Sequence, residues 1–238
     1  MMSFETFKIC IDKIPKRLLI IFSGFAEPFL NPECIKMIIY AHNSGHLVRV
    51  FSTLVGLKLE DVEQIEHIPF DAFVIHLPDA EMFAKIAVNK NYIAILKKIL
   101  SSNIKIFKGM AMGPLHPKIK EILDVDIGKD EMISRAGNLE NVKIKFKKKT
   151  GPLSCNMATR TNLDDKLECG VLLPNGDVSL CCMDYGLQNI LGNLLNIDYE
   201  SLFHTKEFDE IYKKMKSQDD DIICRSCDEA ISETELND

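Results

Sequence analysis

The sequence predicts an α/β protein: an open, partial (β/α) barrel lacking its first strand, followed by a small Cys-rich α+β domain with a β-hairpin. Three observations carry this. Strand and helix patterns alternate through the first half, the chain opens on a helix with no strand before it, and six of its eight cysteines fall between Cys155 and Cys227. Repeated strand–helix units imply a parallel sheet with right-handed crossovers. Five strands suffice for an open arc, not for a closed barrel of eight. The expected division is a barrel-like part over 1–149 and a cysteine domain over 150–238.

Phe4, Phe7, Ile11 and Ile14 recur at helical spacing until Pro15 stops the helix. Leu18 to Phe22 reads as a strand buried on both faces. Asn31 and Pro32 read as N-cap and first turn of the next helix, which ends before Gly45. Leu47–Phe51, Ala72–Ile75 and Ile104–Phe107 are further strands, with helices over Leu57–Glu66, Tyr92–Leu100 and His116–Leu123. A fifth strand is expected around Met132–Ser134. In a repeating α/β fold the opening helix is the crossover from an earlier strand. Either it only caps the sheet, or one strand and its loop are missing from this chain.

Of 238 residues, 46% are hydrophobic and 27% charged, as in an ordinary globular protein with a core. A net charge of −6 disfavours a general nucleic-acid binder, which needs a basic surface. The basic run Lys143, Lys145, Lys147, Lys148 and Lys149 alternates with Val142, Ile144 and Phe146, which fits a strand with one solvated face. No apolar run approaches membrane-spanning length, and Leu18–Phe22 is too short and too late for a signal peptide. The expectation is a cytoplasmic protein with neither nucleic acid nor membrane as partner.

In a reducing cytoplasm a crowd of cysteines holds metal more readily than disulfides. Val171-Leu172-Leu173 and Val178-Ser179-Leu180 flank Pro174-Asn175-Gly176-Asp177, a hairpin signal. The second strand runs onto Cys181-Cys182, and alternation allows at most one of the two to face a given centre. An amphipathic helix follows, with Phe208, Ile211, Tyr212 and Met215 on one stripe, and then Cys224-x2-Cys227. A Cys-x2-Cys loop, a hairpin end and a preceding loop supply four thiolates, enough for a [4Fe-4S] cluster. Four thiolates also make a structural zinc site, although that usually takes two Cys-x2-Cys pairs. Cys10 and Cys34, alone in the first half, read as unliganded core cysteines.

Two stretches together resemble radical S-adenosylmethionine (SAM) enzymes with a SPASM-type or shortened twitch auxiliary-cluster domain. Phe22-Ser23-Gly24-Phe25-Ala26-Glu27-Pro28 resembles the family's segment after its second barrel strand, where a Gly-Gly-Glu-Pro-like loop holds the amino group of SAM. Leu172 to Tyr185, with Gly192-Asn193-Leu194 and Cys224-x2-Cys227, resembles the auxiliary-cluster signature, including its Gly-x4-Cys step from Gly176 to Cys181. The resemblance implies metal ligands Cys155, Cys181, Cys224 and Cys227, with Cys169 a rival for Cys155 and Cys182 for Cys181. For SAM it singles out Gly24, Glu27, Ser52, Thr53, His76 and Arg135, at or near strand ends, where α/β sites gather.

The chain departs from the family in two places. It contains no Cys-x3-Cys-x2-Cys run, the loop that binds the SAM-cleaving cluster, and Ala26 stands where the loop has a glycine. Alanine disfavours positive φ and narrows the approach of backbone to ligand. The expectations are therefore an auxiliary [4Fe-4S] cluster in this chain, and SAM with a second [4Fe-4S] only in a full-length form. The parent activity implied is radical-based modification of a peptide or small molecule, with an electron donor such as a flavodoxin or ferredoxin. The rival readings are a non-catalytic iron–sulfur electron-transfer or binding module, and a zinc-stabilised interaction protein.

Overall fold

Apolar runs bounded by helix caps become a parallel sheet in the N-terminal unit, Ser3–Glu131; Met132–Asp238 is a second unit. The computed structural model describes residues 1–123, 128–129, 135–138, 148–157 and 169–232. The expected strand at 132–134 and the alternating stretch 142–146 lie outside these residues.

The N-terminal unit begins with α1 (Phe4–Lys13), whose N-cap Ser3 accepts from the Thr6 N–H, and which buries Phe7, Cys10 and Ile11. Then come β1 (Ile20–Phe22), a 3₁₀ turn over Pro28–Leu30, α2 (Cys34–Asn43), β2 (Val48–Ser52), α3 (Leu59–Ile65) and β3 (Ala72–His76). α4 (Lys90–Ser101), β4 (Ile106–Ala111), α5 (Pro117–Lys120) and β5 (Gly128–Lys129) complete it. The strands lie in the order β1-β2-β3-β4-β5, all parallel. Sequential order means that each crossover advances one strand in the same direction, so every strand's C-terminal end opens onto the same edge.

β3 reads as a continuous apolar run because both its faces are covered: Ala72, Phe73, Val74 and Ile75 are all buried. α4 contributes Tyr92, Ile95, Leu96 and Ile99 to this core, each burial worth about 2 kcal/mol. Its N-cap is Asn89, whose side chain accepts from the Tyr92 N–H at 2.8 Å. β1 pairs with β2 alone among the described strands, and Ile21 is 45% exposed at that edge.

α2 starts at Cys34, later than the Asn31-Pro32 signal suggests. Asn31 closes the 3₁₀ turn, and its side chain accepts from the Glu33 N–H at 3.0 Å, a local Asx turn instead of a helix cap.

In the C-terminal unit β6 (Leu153–Cys155) pairs antiparallel with β10 (Ala230–Ser232). β7 (Val171–Leu172), β8 (Asp177–Ser179) and β9 (Ile190–Asn193) form an antiparallel meander, so the expected hairpin gains a third strand. The amphipathic helix is α6 (Lys206–Lys216), capped by Thr205, with Ile211 and Met215 buried. A 3₁₀ turn, Ile223–Ser226, carries Cys224. Among the described residues no helix is long and apolar enough to cross a membrane.

Candidate metal centre

The β7–β8 turn is built on Gly176. Its φ of +88° belongs to glycine, and a Cβ there would stand 2.7 Å from Leu195 Cγ and 2.9 Å from Asn193 Oδ1. β8 ends at Ser179, so Cys181 and Cys182 lie past the strand and its alternation does not govern them. Asp184 shapes their loop instead. Its buried carboxylate accepts from the backbone N–H groups of Gln188 and Asn189, at 3.0 and 2.7 Å, and from the Asn189 side chain.

β6 holds Cys155 directly opposite Ala230 of β10. The Cys224–Cys227 turn closes with the Cys227 N–H on the Cys224 carbonyl at 3.2 Å. Arg225, 1% exposed, is the pin of this turn. Its guanidinium donates to the carbonyls of Gly151 (2.5 Å), Ser217 (2.8 Å), Asp220 (3.2 Å), Lys214 (3.3 Å) and Lys149 (3.4 Å). Lys149 returns the contact through its N–H to the Arg225 carbonyl, and its Nζ donates to the carbonyls of Cys227 and Ala230.

The thiols of Cys155, Cys169, Cys181, Cys182, Cys224 and Cys227 interact within one group. Cys169 shares a hydrogen bond with Cys155, and this, then burial and the neighbouring thiols, pushes its acidity well below the ordinary range. Burial pushes the Cys224 pKa up to about 12, assisted by Cys181, Cys227 and Cys155. Burial likewise raises Cys181 to about 12, with Cys182 and Cys227 adding to it. Cys227 is raised by burial and by Cys155. Cys182 is raised by burial against the opposing pull of Arg135, whose Nη1 donates to the Cys182 carbonyl at 3.2 Å. Cys10 and Cys34 are buried on α1 and α2 of the other unit, both raised chiefly by burial.

Such a site resists forming thiolates until a cation arrives to stabilise them. An all-sulfur donor set drawn from a loop, a hairpin end and a Cys-x2-Cys turn fits a cluster's preference for thiolates. Among the described residues no three Cys, His, Asp or Glu side chains close onto a single metal ion.

Of the residues tied by resemblance to SAM, the structure brings three into one cluster at the ends of β1 and β2. The Glu27 carboxylate accepts from the Ser52 hydroxyl (2.7 Å), from the Thr53 N–H and hydroxyl (2.6 Å each) and from the Phe29 N–H (3.2 Å). Gly24, with φ +113°, lies on the same loop. His76 ends β3, its ring 6.4 Å from that of Phe51. Arg135 falls in the C-terminal unit, against the Cys182 loop. From sequence Arg225 carries no assigned role, Lys149 reads only as part of a solvated basic run, and Asp184 only as part of the stretch Leu172 to Tyr185. The available signals are the position of Arg225 inside Cys-x2-Cys and that of Asp184 just past Cys181-Cys182.

Residues 167–228 match SPASM, an iron–sulfur cluster-binding domain. The C-terminal unit carries a SPASM-type domain. Its described β7–β8–β9 meander, Cys181 loop and Cys224–Cys227 turn all lie within the matched span. Comparison with curated proteins gives no match.

Among solved structures the chain is similar to several, including two solved with AdoMet bound. One is BtrN in complex with AdoMet and 2-DOIA, at 14% identity and a TM-score of 0.57, over 91% of this chain and 75% of that one. The other is anSMEcpe with bound AdoMet and Kp18Cys peptide, at 12% identity and a TM-score of 0.57, over 96% and 78%. At these identities the likeness is one of fold. The residues matched to SPASM therefore follow the α/β unit in the sequence.

Proposed function

We propose that this chain is a radical SAM/SPASM-type iron–sulfur protein whose C-terminal domain binds an auxiliary [4Fe-4S] cluster. The observation that carries the reading is the mutual interaction of six thiols, from β6, the segment before β7, the hairpin end and the Cys224–Cys227 turn, in a unit that contains the SPASM match. Cys155, Cys181, Cys224 and Cys227 are the proposed ligands, with Cys169 the rival of Cys155. Bound there, the cluster supplies electron relay or substrate ligation. The chain's own residues do the rest: Asp184 shapes the Cys181 loop, and the β6–β10 pair brings Cys155 beside the last two cysteines.

The proposed architecture is a partial (β/α) barrel in the N-terminal unit, supported by its sequential parallel strand order, followed by a SPASM/twitch-like domain in the C-terminal unit, which begins at Met132 and so before the expected 150. The proposed parent activity is radical-based modification of a peptide or small molecule in the cytoplasm, fed by a flavodoxin- or ferredoxin-like donor. BtrN and anSMEcpe were solved with a small molecule and a peptide respectively, which supports both substrate classes. Gly24, Glu27, Ser52, Thr53, His76 and Arg135 are the proposed SAM contacts.

A second reading, a non-catalytic iron–sulfur module, draws on Glu27. Four protein donors already satisfy its carboxylate, so an incoming ammonium must compete with them. The test of the cluster is electron paramagnetic resonance of the anaerobically reconstituted, dithionite-reduced chain. A reduced-cluster signal that vanishes in Cys224→Ala is expected. A signal that survives both Cys224→Ala and Cys227→Ala overturns the assignment. Isothermal titration with SAM separates the two readings.

A further inference from the structure

Arg225 is a fully buried cation whose partners are all neutral. Its hydrogen bonds run to five backbone carbonyls and to the Ser217 hydroxyl, and among the described residues no carboxylate lies within ion-pair distance of it. Lys149, half-buried, is a second cation with neutral partners: its Nζ is held by the carbonyls of Cys227 and Ala230, and among the described residues no carboxylate lies within ion-pair distance of it. Around Arg225 carbonyl dipoles replace the lost hydration but leave the net positive charge uncompensated, and a buried charge of that kind is costly without a counterion. Both cations bracket the same turn. Arg225 sits between Cys224 and Cys227, and Lys149 bonds the main chain of Cys227 itself. Four thiolates around a cluster core carry net negative charge, which deepens on reduction.

Building on the proposed cluster, we infer that Arg225 and Lys149 are its built-in countercharges and raise its reduction potential. Arg225 is also the positioning residue that fastens the Cys224–Cys227 turn to the segment leading into β6, and so to Cys155. Its fork reaches Lys149 and Gly151 on one side and Lys214, Ser217 and Asp220 on the other. The two roles are separable, because a lysine at 225 keeps the charge but cannot span both sides, whereas a methionine at 149 removes charge while keeping an apolar stem. Adding an electron to an anionic cluster is easier beside a cation, so removing the cation must lower the potential.

The experiment is a redox titration of reconstituted full-length chain, followed by electron paramagnetic resonance, with iron counted in the same samples. Lys149→Met should keep the wild-type iron content. At a fixed poise its reduced-to-oxidised ratio should fall about tenfold, equivalent to about 59 mV for one electron. Arg225→Lys should leave the potential near wild type while lowering the fraction of chains that assemble a cluster. Lys149→Met with full iron and an unshifted potential overturns the countercharge role. Arg225→Lys with full assembly overturns the positioning role. Wild-type chain that takes up no iron removes the cluster reading on which both rest, a result distinct from either.

Discussion

The backbone N–H and the hydroxyl of Thr53 both donate to one oxygen of Glu27, at 2.6 Å each, and so tie the loop after β1 to the end of β2. The other oxygen takes the Ser52 hydroxyl and the Phe29 N–H. Glu27→Ala would leave four donors without an acceptor, one of them on buried Ser52. Hydrogen bonds to a charged group are worth about 1.5–3 kcal/mol, and water can re-satisfy some of the donors. We expect a loss of about 2–3 kcal/mol in the urea unfolding of the N-terminal unit, with iron content unchanged. A loss below 0.5 kcal/mol, on the order of an ordinary surface substitution, would remove the clamp.

His46 gives that unit a pH dependence. One ring nitrogen lies 3.1 Å from the Leu18 carbonyl and the other 3.2 Å from Lys16 Nζ, an arrangement that a neutral ring satisfies with one donor and one acceptor. Burial lowers its pKa from the ordinary value near 6.5. The stability this contributes is complete above about pH 6.5 and is lost as the pH falls through the lowered value. The urea midpoint of wild type should therefore fall on going from about pH 7.5 to 5.5, and that of His46→Gln should fall less. Parallel midpoints for the two proteins would contradict this.

Gly176→Ala tests the hairpin. The substitution puts a side chain at positive φ and into contact with Leu195 and Asn193, at 2.7 and 2.9 Å. The left-handed conformation alone costs about 1–2 kcal/mol. We expect faster amide exchange over β7–β9 and weaker cluster assembly, while exchange in β1–β4 stays as in wild type.

The cysteine assignment predicts unequal outcomes. Cys155→Ala should abolish the cluster and Cys10→Ala should leave iron content unchanged, since Cys10 packs on α1. Cys169→Ala is the sharper case, because the two thiols share a hydrogen bond. Retention of iron in Cys169→Ala is expected, and its loss there with retention in Cys155→Ala would exchange the two assignments.

β3 is legible because it is an apolar run buried on both faces, whereas β1 covers only Ile20–Phe22 of the expected Leu18–Phe22 and leaves Ile21 exposed at the sheet edge. β3 adds only His76 to the expected Ala72–Ile75, and α4, Lys90–Ser101, adds two residues before and one after the expected Tyr92–Leu100. The hairpin was legible from Asn175-Gly176, whose turn needs positive φ. β9 was not read as a strand because Ile190–Asn193 is short and interrupted by Gly192, close to Ile197 and Leu202. The alternation argument for Cys181 and Cys182 fails for a tertiary reason: β8 stops at Ser179, and Asp184 folds the next residues into a loop. Nor does sequence reveal that Arg225 is buried, since its partners are carbonyls, which every residue carries. Lys149 belonged to a run read as a solvated face, yet its Nζ is bound to two carbonyls.

If the C-terminal thiols hold an iron–sulfur cluster, iron, acid-labile sulfide and zinc counted in the anaerobically reconstituted chain, beside its Cys224→Ala variant, show it. About four irons and an equal amount of sulfide are expected per wild-type chain, as one cluster held by thiolates requires, and neither in the variant. Stoichiometric zinc, with no iron or sulfide taken up, would contradict it.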